Sequence, residues 1–164
     1  MGKVILICGK ICSGKSYYAE RLSKTKNAVI LSCDEIAFDL LLNKIEDSDK
    51  HDEIMARVTG YLHKKSVQIA RCGVDVILDF GSWDKKGRES LSIFYSEHDI
   101  PIEWHYIDIS DQDWKENIEQ RNRLVNEGKV NAYYLDDGLM AKMLARFEQP
   151  TKEEFDVWFI NTRK

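Results

Sequence analysis

Residues 4–16 read Val-Ile-Leu-Ile-Cys-Gly-Lys-Ile-Cys-Ser-Gly-Lys-Ser, and this stretch decides the fold. The apolar run from Val4 to Cys8 predicts a buried strand. Gly9 to Ser16 completes the spacing GxxxxGK[ST], and helical periodicity follows from Ser16 to Ser23. A strand, a glycine turn and a helix in that order leave backbone N–H groups of the loop converging on one point, reinforced by the partial positive charge of the helix end. Such a concavity suits a phosphate. Lys15 then supplies a point charge for β and γ phosphates, and the Ser16 hydroxyl a ligand for a Mg²⁺ that bridges them. The candidate phosphate-binding residues are therefore Gly9, Lys10, Ile11, Cys12, Ser13, Gly14, Lys15 and Ser16.

Four further apolar runs repeat the strand pattern: Ala28 to Ser32, Val74 to Asp79, Ile102 to Asp108 and Phe155 to Ile160. Segments of helical period separate them, the arrangement of a parallel sheet covered on both faces, so the class is α/β. A helix is expected from Asp34 to Leu42, and a longer one from about His51 to Arg71 with Ile54, Val58, Leu62, Lys65 and Ile69 on one side. Asp84 is placed to cap a helix that buries Leu91 and Phe94, and Ser110 with Asp113 resembles a capping box ahead of Trp114 and Ile118. Periodicity lapses from Asn126 to Asp137, where Glu-Gly-Lys occurs, and returns from Leu139 to Phe147. The lapse reads as a mobile lid at about 122–137.

The 164 residues are expected to form one compact domain over 1–164, with no repeat or linker. Hydrophobic residues at 43% and charged residues at 32% exclude a disordered or low-complexity chain. No apolar run approaches the roughly 18 to 20 residues that cross a bilayer, and the N-terminal run is too short for a secretory signal, so a cytoplasmic protein is expected. The net charge of −4 argues against a general nucleic-acid surface and leaves only a local basic pocket or a 5′-hydroxyl end as an option. Cys8, Cys12, Cys33 and Cys72 lack CxxC spacing and are expected as free thiols, with Cys12 and Cys33 near the ligand and open to alkylation. His51, His63, His98 and His105 have no zinc-ligand spacing.

Asp79 ends the strand Val76-Ile77-Leu78, the place of a second Mg²⁺-organising group beside a phosphate loop; a turn or cap residue is the plainer alternative. Asp34 follows the second strand at the edge where open α/β sheets bind ligands. Its carboxylate there can take the proton of an acceptor hydroxyl, or can simply cap the helix that opens at Asp34-Glu35. Arg121 and Arg123 lie where the Trp114 helix meets the lapse, so Arg121 can close over the phosphates or the adenine face. Arg88 is a secondary candidate for the acceptor side.

With these residues in view, the chain resembles small bacterial P-loop kinases with an AAA-type ATP-binding domain, similar to polynucleotide 5′-kinase domains, zeta toxins and chloramphenicol phosphotransferase. The likeness is carried by GKICSGKS at 9–16, LSCDEI at 31–36, VILDFGSWDKKGRES at 76–90, EQRN at 119–122 and FEQP at 147–150. It implies a three-layer fold with a five-stranded parallel sheet of order 2-3-1-4-5. It also implies ATP with Mg²⁺, a base matching Asp34, a lid arginine matching Arg121, and an adenine border near Phe147 to Thr151. The expected activity is transfer of the γ-phosphate of Mg-ATP to a hydroxyl of a small molecule such as an antibiotic, sugar or nucleoside. The alternative is a nucleotide-dependent binding module or slow switch acting through a protein partner; no NKxD motif is present, and Asp79-Phe80-Gly81 lacks DxxG spacing, so a GTPase form is disfavoured.

Overall fold

The computed structural model describes residues 1–162, the side chains of Asn43 and Ser48 excepted. Five strands, β1 (Val4–Cys8), β2 (Val29–Ser32), β3 (Val76–Asp79), β4 (Ile102–Ile109) and β5 (Val157–Asn161), form one sheet in the order β2-β3-β1-β4-β5. Every neighbouring pair is parallel, as the alternation of apolar runs and helical segments requires. The register aligns Ser32 with Asp79, and Cys8 with Tyr106. The phosphate-loop motif, the Ser32–Asp34 corner and Asp79 therefore share one carboxyl edge.

Six α-helices connect the strands: α1 (Lys15–Lys26), α2 (Cys33–Asp39), α3 (Ser48–Arg71), α4 (Lys85–Glu97), α5 (Asp111–Asn126) and α6 (Asp137–Arg146). The side chains of β1 alternate between two cores. Ile5 and Ile7 pack with Ile77, Ile107 and Ala19, against Tyr18 and Leu22 of α1. Val4 and Leu6 pack on the other face with Leu62, Val67 and Ala70 of α3 and Tyr95 of α4. All five β1 residues are essentially unexposed. At about 1.5–3 kcal/mol for each fully buried aliphatic side chain, this burial anchors the strand that carries the loop.

Helix α3 begins earlier than its hydropathy suggests because Asp47 caps it, accepting from the N–H groups of Asp49 (3.0 Å) and Lys50 (3.1 Å). Its buried face keeps part of the expected seam, with Leu62 buried and Val58 and Ile69 packed on the same core, and departs from it elsewhere. Leu62, His63, Ser66, Val67 and Ala70 are buried, whereas Lys65 turns outward to bond Gln68 and sit over Tyr61. The reason is polar: His63 Nδ1 and Ser66 Oγ both meet the buried Tyr95 hydroxyl, at 2.7 and 2.8 Å, so two hydrophilic residues hide on the core face. The stretch read as a lid is anchored to α5. The side chain of Asn122 accepts from Leu135 N–H and donates to Leu135 C=O, both at 2.8 Å, and Leu135 is buried. All four cysteines are free, and among the described residues no helix is long and apolar enough to cross a membrane.

Candidate active site

The loop between β1 and α1 is held open by what surrounds it. Each carbonyl from Gly9 to Ser13 accepts from a side chain. Lys15 Nζ donates to Gly9 (3.1 Å) and Lys10 (2.8 Å), Trp114 Nε1 to Ile11 (2.7 Å), Asn117 Nδ2 to Cys12 (3.0 Å) and Asn161 Nδ2 to Ser13 (2.8 Å). Five consecutive carbonyls bound to side-chain donors fix the course of the loop, and an anion can use the N–H groups that remain. Two glycines make this packing feasible. A Cβ on Gly9 would lie 2.6 Å from Ser13 Oγ and 2.8 Å from the Ile107 carbonyl, and one on Gly14, at φ 95°, would meet Asn161 Nδ2 at 2.4 Å. Cys12 takes the left-handed conformation without being glycine (φ 59°), at a cost of about 1–2 kcal/mol that its neighbours must offset. Gly14 occupies the N-cap of α1 with no side chain bonding the first turn, which leaves those N–H groups for a ligand.

The loop opens on a cleft of about 450 Å³ lined by Ile11, Cys12, Gly14, Lys15 and Ser16 together with residues of α3 and α6. Asp34, Asp79 and Arg121 line the same cleft. Gly9 and Ser13 are buried behind the loop, with Ser13 Oγ unpartnered among the described residues, and the Lys10 side chain turns away to Asp111 and the Trp114 ring. These three contribute backbone only.

Burial lowers the Lys15 pKa below the ordinary lysine range, against the upward pull of Asp79, Cys8, Cys12 and Asp34. Its ammonium is thus short of counter-charge, the condition in which an incoming phosphate is most welcome. Asp79 is raised from the usual carboxylate range by burial, while a hydrogen bond from Ser16 and the charge of Lys15 act the other way. Ser16 and Asp79 bring a hydroxyl and a carboxylate together, the hard oxygen set that Mg²⁺ takes alongside phosphate and water, so the donors fit that ion.

Asp34 is exposed in the first turn of α2, and the capping role falls elsewhere: Ser32 Oγ accepts from Glu35 N–H. The Asp34 carboxylate is therefore not the side chain that caps α2; it stands in the first turn, where it meets the Cys33 thiol. Ser32-Cys33-Asp34-Glu35 carries the S-x-x-E signature of a capping box, the sequence signal that could have separated the two roles. Arg121 donates Nε–H to the Tyr133 carbonyl (3.1 Å) and Nη1–H to Cys12 Sγ (3.7 Å), and forms no ion pair among the described residues. Burial pushes the Cys33 thiol up to about 12, with Asp34 and Asp79 adding to it, which makes it a poor nucleophile.

Arg88 does not line the cleft. It is buried, donating from Nε (3.2 Å) and Nη2 (2.9 Å) to Glu154 Oε2 and from Nη1 to the Glu148 carbonyl (3.3 Å). Glu148 in turn accepts from Lys85 N–H and donates to the Trp83 carbonyl. Phe147 to Thr151 is thereby tied to the loop after β3, and none of it lines the cleft. Arg123 is exposed on a shallow depression with Glu116 and Glu119, away from the cleft. Sequence reading missed Trp114, Asn117 and Asn161 as loop supports, and also these residues of the cleft lining: His51, Asp52, Met55 and Thr59 from α3, Tyr133, and Leu139, Lys142, Met143 and Arg146 from α6.

A family model described as an AAA domain matches residues 4–150, and the chain belongs to that family. It is similar in structure to the APS kinase of Mycobacterium tuberculosis solved with AMPPNP and APS, at 19% identity and a TM-score of 0.66 over 99% of this chain and 90% of that one. A gluconokinase from Sinorhizobium meliloti gives 14% identity and a TM-score of 0.65 over 99% and 84%. A sugar kinase from Janibacter gives 14% and 0.60 over 98% and 85%. At such identities the likeness concerns the fold, which is that of P-loop kinases. No curated protein matches the sequence.

Proposed function

We propose that the protein is an ATP-dependent phosphotransferase acting on a hydroxyl of a small molecule. The observation that carries this reading is the cleft itself, in which a phosphate loop with every carbonyl from Gly9 to Ser13 occupied shares one cavity with Asp34, Asp79 and Arg121. The free N–H groups of the loop and of the α1 N-terminus hold the phosphates of the nucleotide, and Lys15 adds a desolvated charge. Ser16 and Asp79 would hold Mg²⁺, which when bound neutralises charge on the phosphate oxygens. Asp34, free of capping duty, accepts the proton of the acceptor hydroxyl as that oxygen attacks. Arg121, without a carboxylate partner among the described residues, is available to the transferred group from the α5 side.

Transfer of label from γ-labelled Mg-ATP to a panel of hydroxyl compounds tests the proposal. A product formed by the wild type and lost in Asp34→Asn, with nucleotide affinity retained, is the expected result. A nucleotide-dependent protein complex with no phosphorylated product would favour a binding switch instead.

A further inference from the structure

Besides the phosphate loop, the cleft has a second cluster of positive charge, on α6. Lys142 and Arg146 stand one turn apart on α6, and both line the cavity. They converge on a single oxygen, Asp52 Oδ2 of α3, at 3.2 Å from Lys142 Nζ and 2.8 Å from Arg146 Nη2. Two cations thus meet one carboxylate, and His51 Nδ1 lies a further 3.8 Å from Asp52 Oδ1. Neither cation has another partner among the described residues, so most of their N–H donors are unused by the protein. Their side chains are 40% and 50% exposed, open to a molecule in the cleft. The same cleft is lined by Met55, Phe80, Tyr133, Leu139 and Met143, which give it apolar surface with two adaptable thioethers.

We infer that the acceptor is an anionic hydroxyl compound: an apolar body between Met55 and Met143, with a carboxylate or phosphate group that Lys142 and Arg146 hold in place of Asp52. The inference rests on the phosphotransferase reading only in treating this part of the cleft as the acceptor's. Asp52 acts as a stand-in anion. Its carboxyl is held below the ordinary range, chiefly by the hydrogen bond from Arg146, so it remains charged and competes with the incoming group. The hydroxyl of the acceptor reaches Asp34 while the anion stays at the α6 rim, which separates the acceptor's negative charge from the carboxylates near the loop.

The test uses the full chain saturated with Mg-AMPPNP, so that the phosphate loop is filled, and calorimetric titration with benzoate, its neutral isostere benzamide, and inorganic phosphate. Benzoate or phosphate is expected to bind, with benzamide at least about tenfold weaker than benzoate. The double variant Lys142→Ala/Arg146→Ala should abolish anion binding. Asp52→Asn should tighten it by about three- to tenfold, because the competing carboxylate is gone; a merely structural bridge would instead loosen α6 and weaken binding. Thermal melts of each variant establish that it is folded.

Binding of neither anion, equal binding of benzoate and benzamide, or anion binding that survives in the double variant overturns the inference. So does a double variant that weakens AMPPNP and leaves benzoate unaffected, since the pair would then serve the nucleotide. AMPPNP that fails to bind while benzoate still shows the charge preference defeats the phosphotransferase reading alone. AMPPNP binding without any anion preference defeats this inference alone.

Discussion

Asn117 provides the sharpest view of how the phosphate loop is held. Its side-chain amide donates to the Cys12 carbonyl at 3.0 Å, across more than a hundred residues of sequence, and Cys12 is the loop residue held in the left-handed conformation. Asn117→Ala removes a hydrogen bond with a net value of about 1 kcal/mol and leaves a partly buried carbonyl without its partner. The Cys12 backbone, strained by about 1–2 kcal/mol, then has a reason to relax. A nucleotide must re-order the loop before binding, so its affinity falls by about five- to tenfold while global stability drops by only about 1 kcal/mol. Trp114→Phe, which frees the adjacent Ile11 carbonyl from a 2.7 Å bond, should act in the same direction. The pair should be non-additive in a double-mutant cycle, because both tethers restrain one loop. Calorimetry with Mg-AMPPNP gives the affinities, and urea unfolding the stabilities. A dissociation constant within twofold of wild type in Asn117→Ala, with the protein folded, would refute the claim that these tethers preorganise the site.

Three further outcomes are expected. Lys15→Met should lower nucleotide affinity by two orders of magnitude or more and change stability by no more than about 1 kcal/mol, since relief of the burial that lowers the lysine pKa offsets the loss of its bonds to the Gly9 and Lys10 carbonyls; a large loss of stability would contradict this. Arg88→Ala should destabilise by roughly 3–5 kcal/mol in urea unfolding, because it strands Glu154 and unties the Glu148 segment; a change below about 1 kcal/mol would show that the buried pair holds nothing together. Burial holds His63 neutral, with its pKa lowered to about 4 from the 6.5 of an exposed histidine, so the unfolded chain binds the extra proton between those values. Stability should fall as pH drops from 6.5 to 4, by up to roughly 3 kcal/mol from this residue, and His63→Gln should flatten that part of the curve; an unchanged slope in the variant would refute the assignment.

Much of the architecture was legible because its determinants are local. The loop from Gly9 to Ser16 fixes both flanking elements through spacing alone, and the apolar runs of β1 and β3 signal strands buried on both faces. Asp34 and Asp79 could be singled out since each ends or follows a strand at the ligand edge. The rest depends on contacts far apart in sequence. Trp114, Asn117 and Asn161 meet the loop from α5 and the end of β5, and no pattern within either element marks them as loop supports. Lys142 and Arg146 look like the solvated end of a helix until Asp52 of α3 is placed opposite them. The seam of α3 is legible at Val58, Leu62 and Ile69 but not at His63 and Ser66, hydrophilic residues whose burial is compensated by one tyrosine hydroxyl. Arg88 presents the reverse case: a basic residue one turn into a helix, normally exposed, is hidden by a glutamate from just before β5.

The central claim is that Asp34 activates a hydroxyl while the loop holds the phosphates. It is tested most directly by following label from γ-labelled Mg-ATP into hydroxyl acceptors, anionic and neutral, with wild type and Asp34→Asn side by side. A labelled product is expected from the wild type, with a loss of at least about a hundredfold in Asp34→Asn and unchanged AMPPNP affinity in that variant. Product formed by Asp34→Asn at the wild-type rate would contradict it.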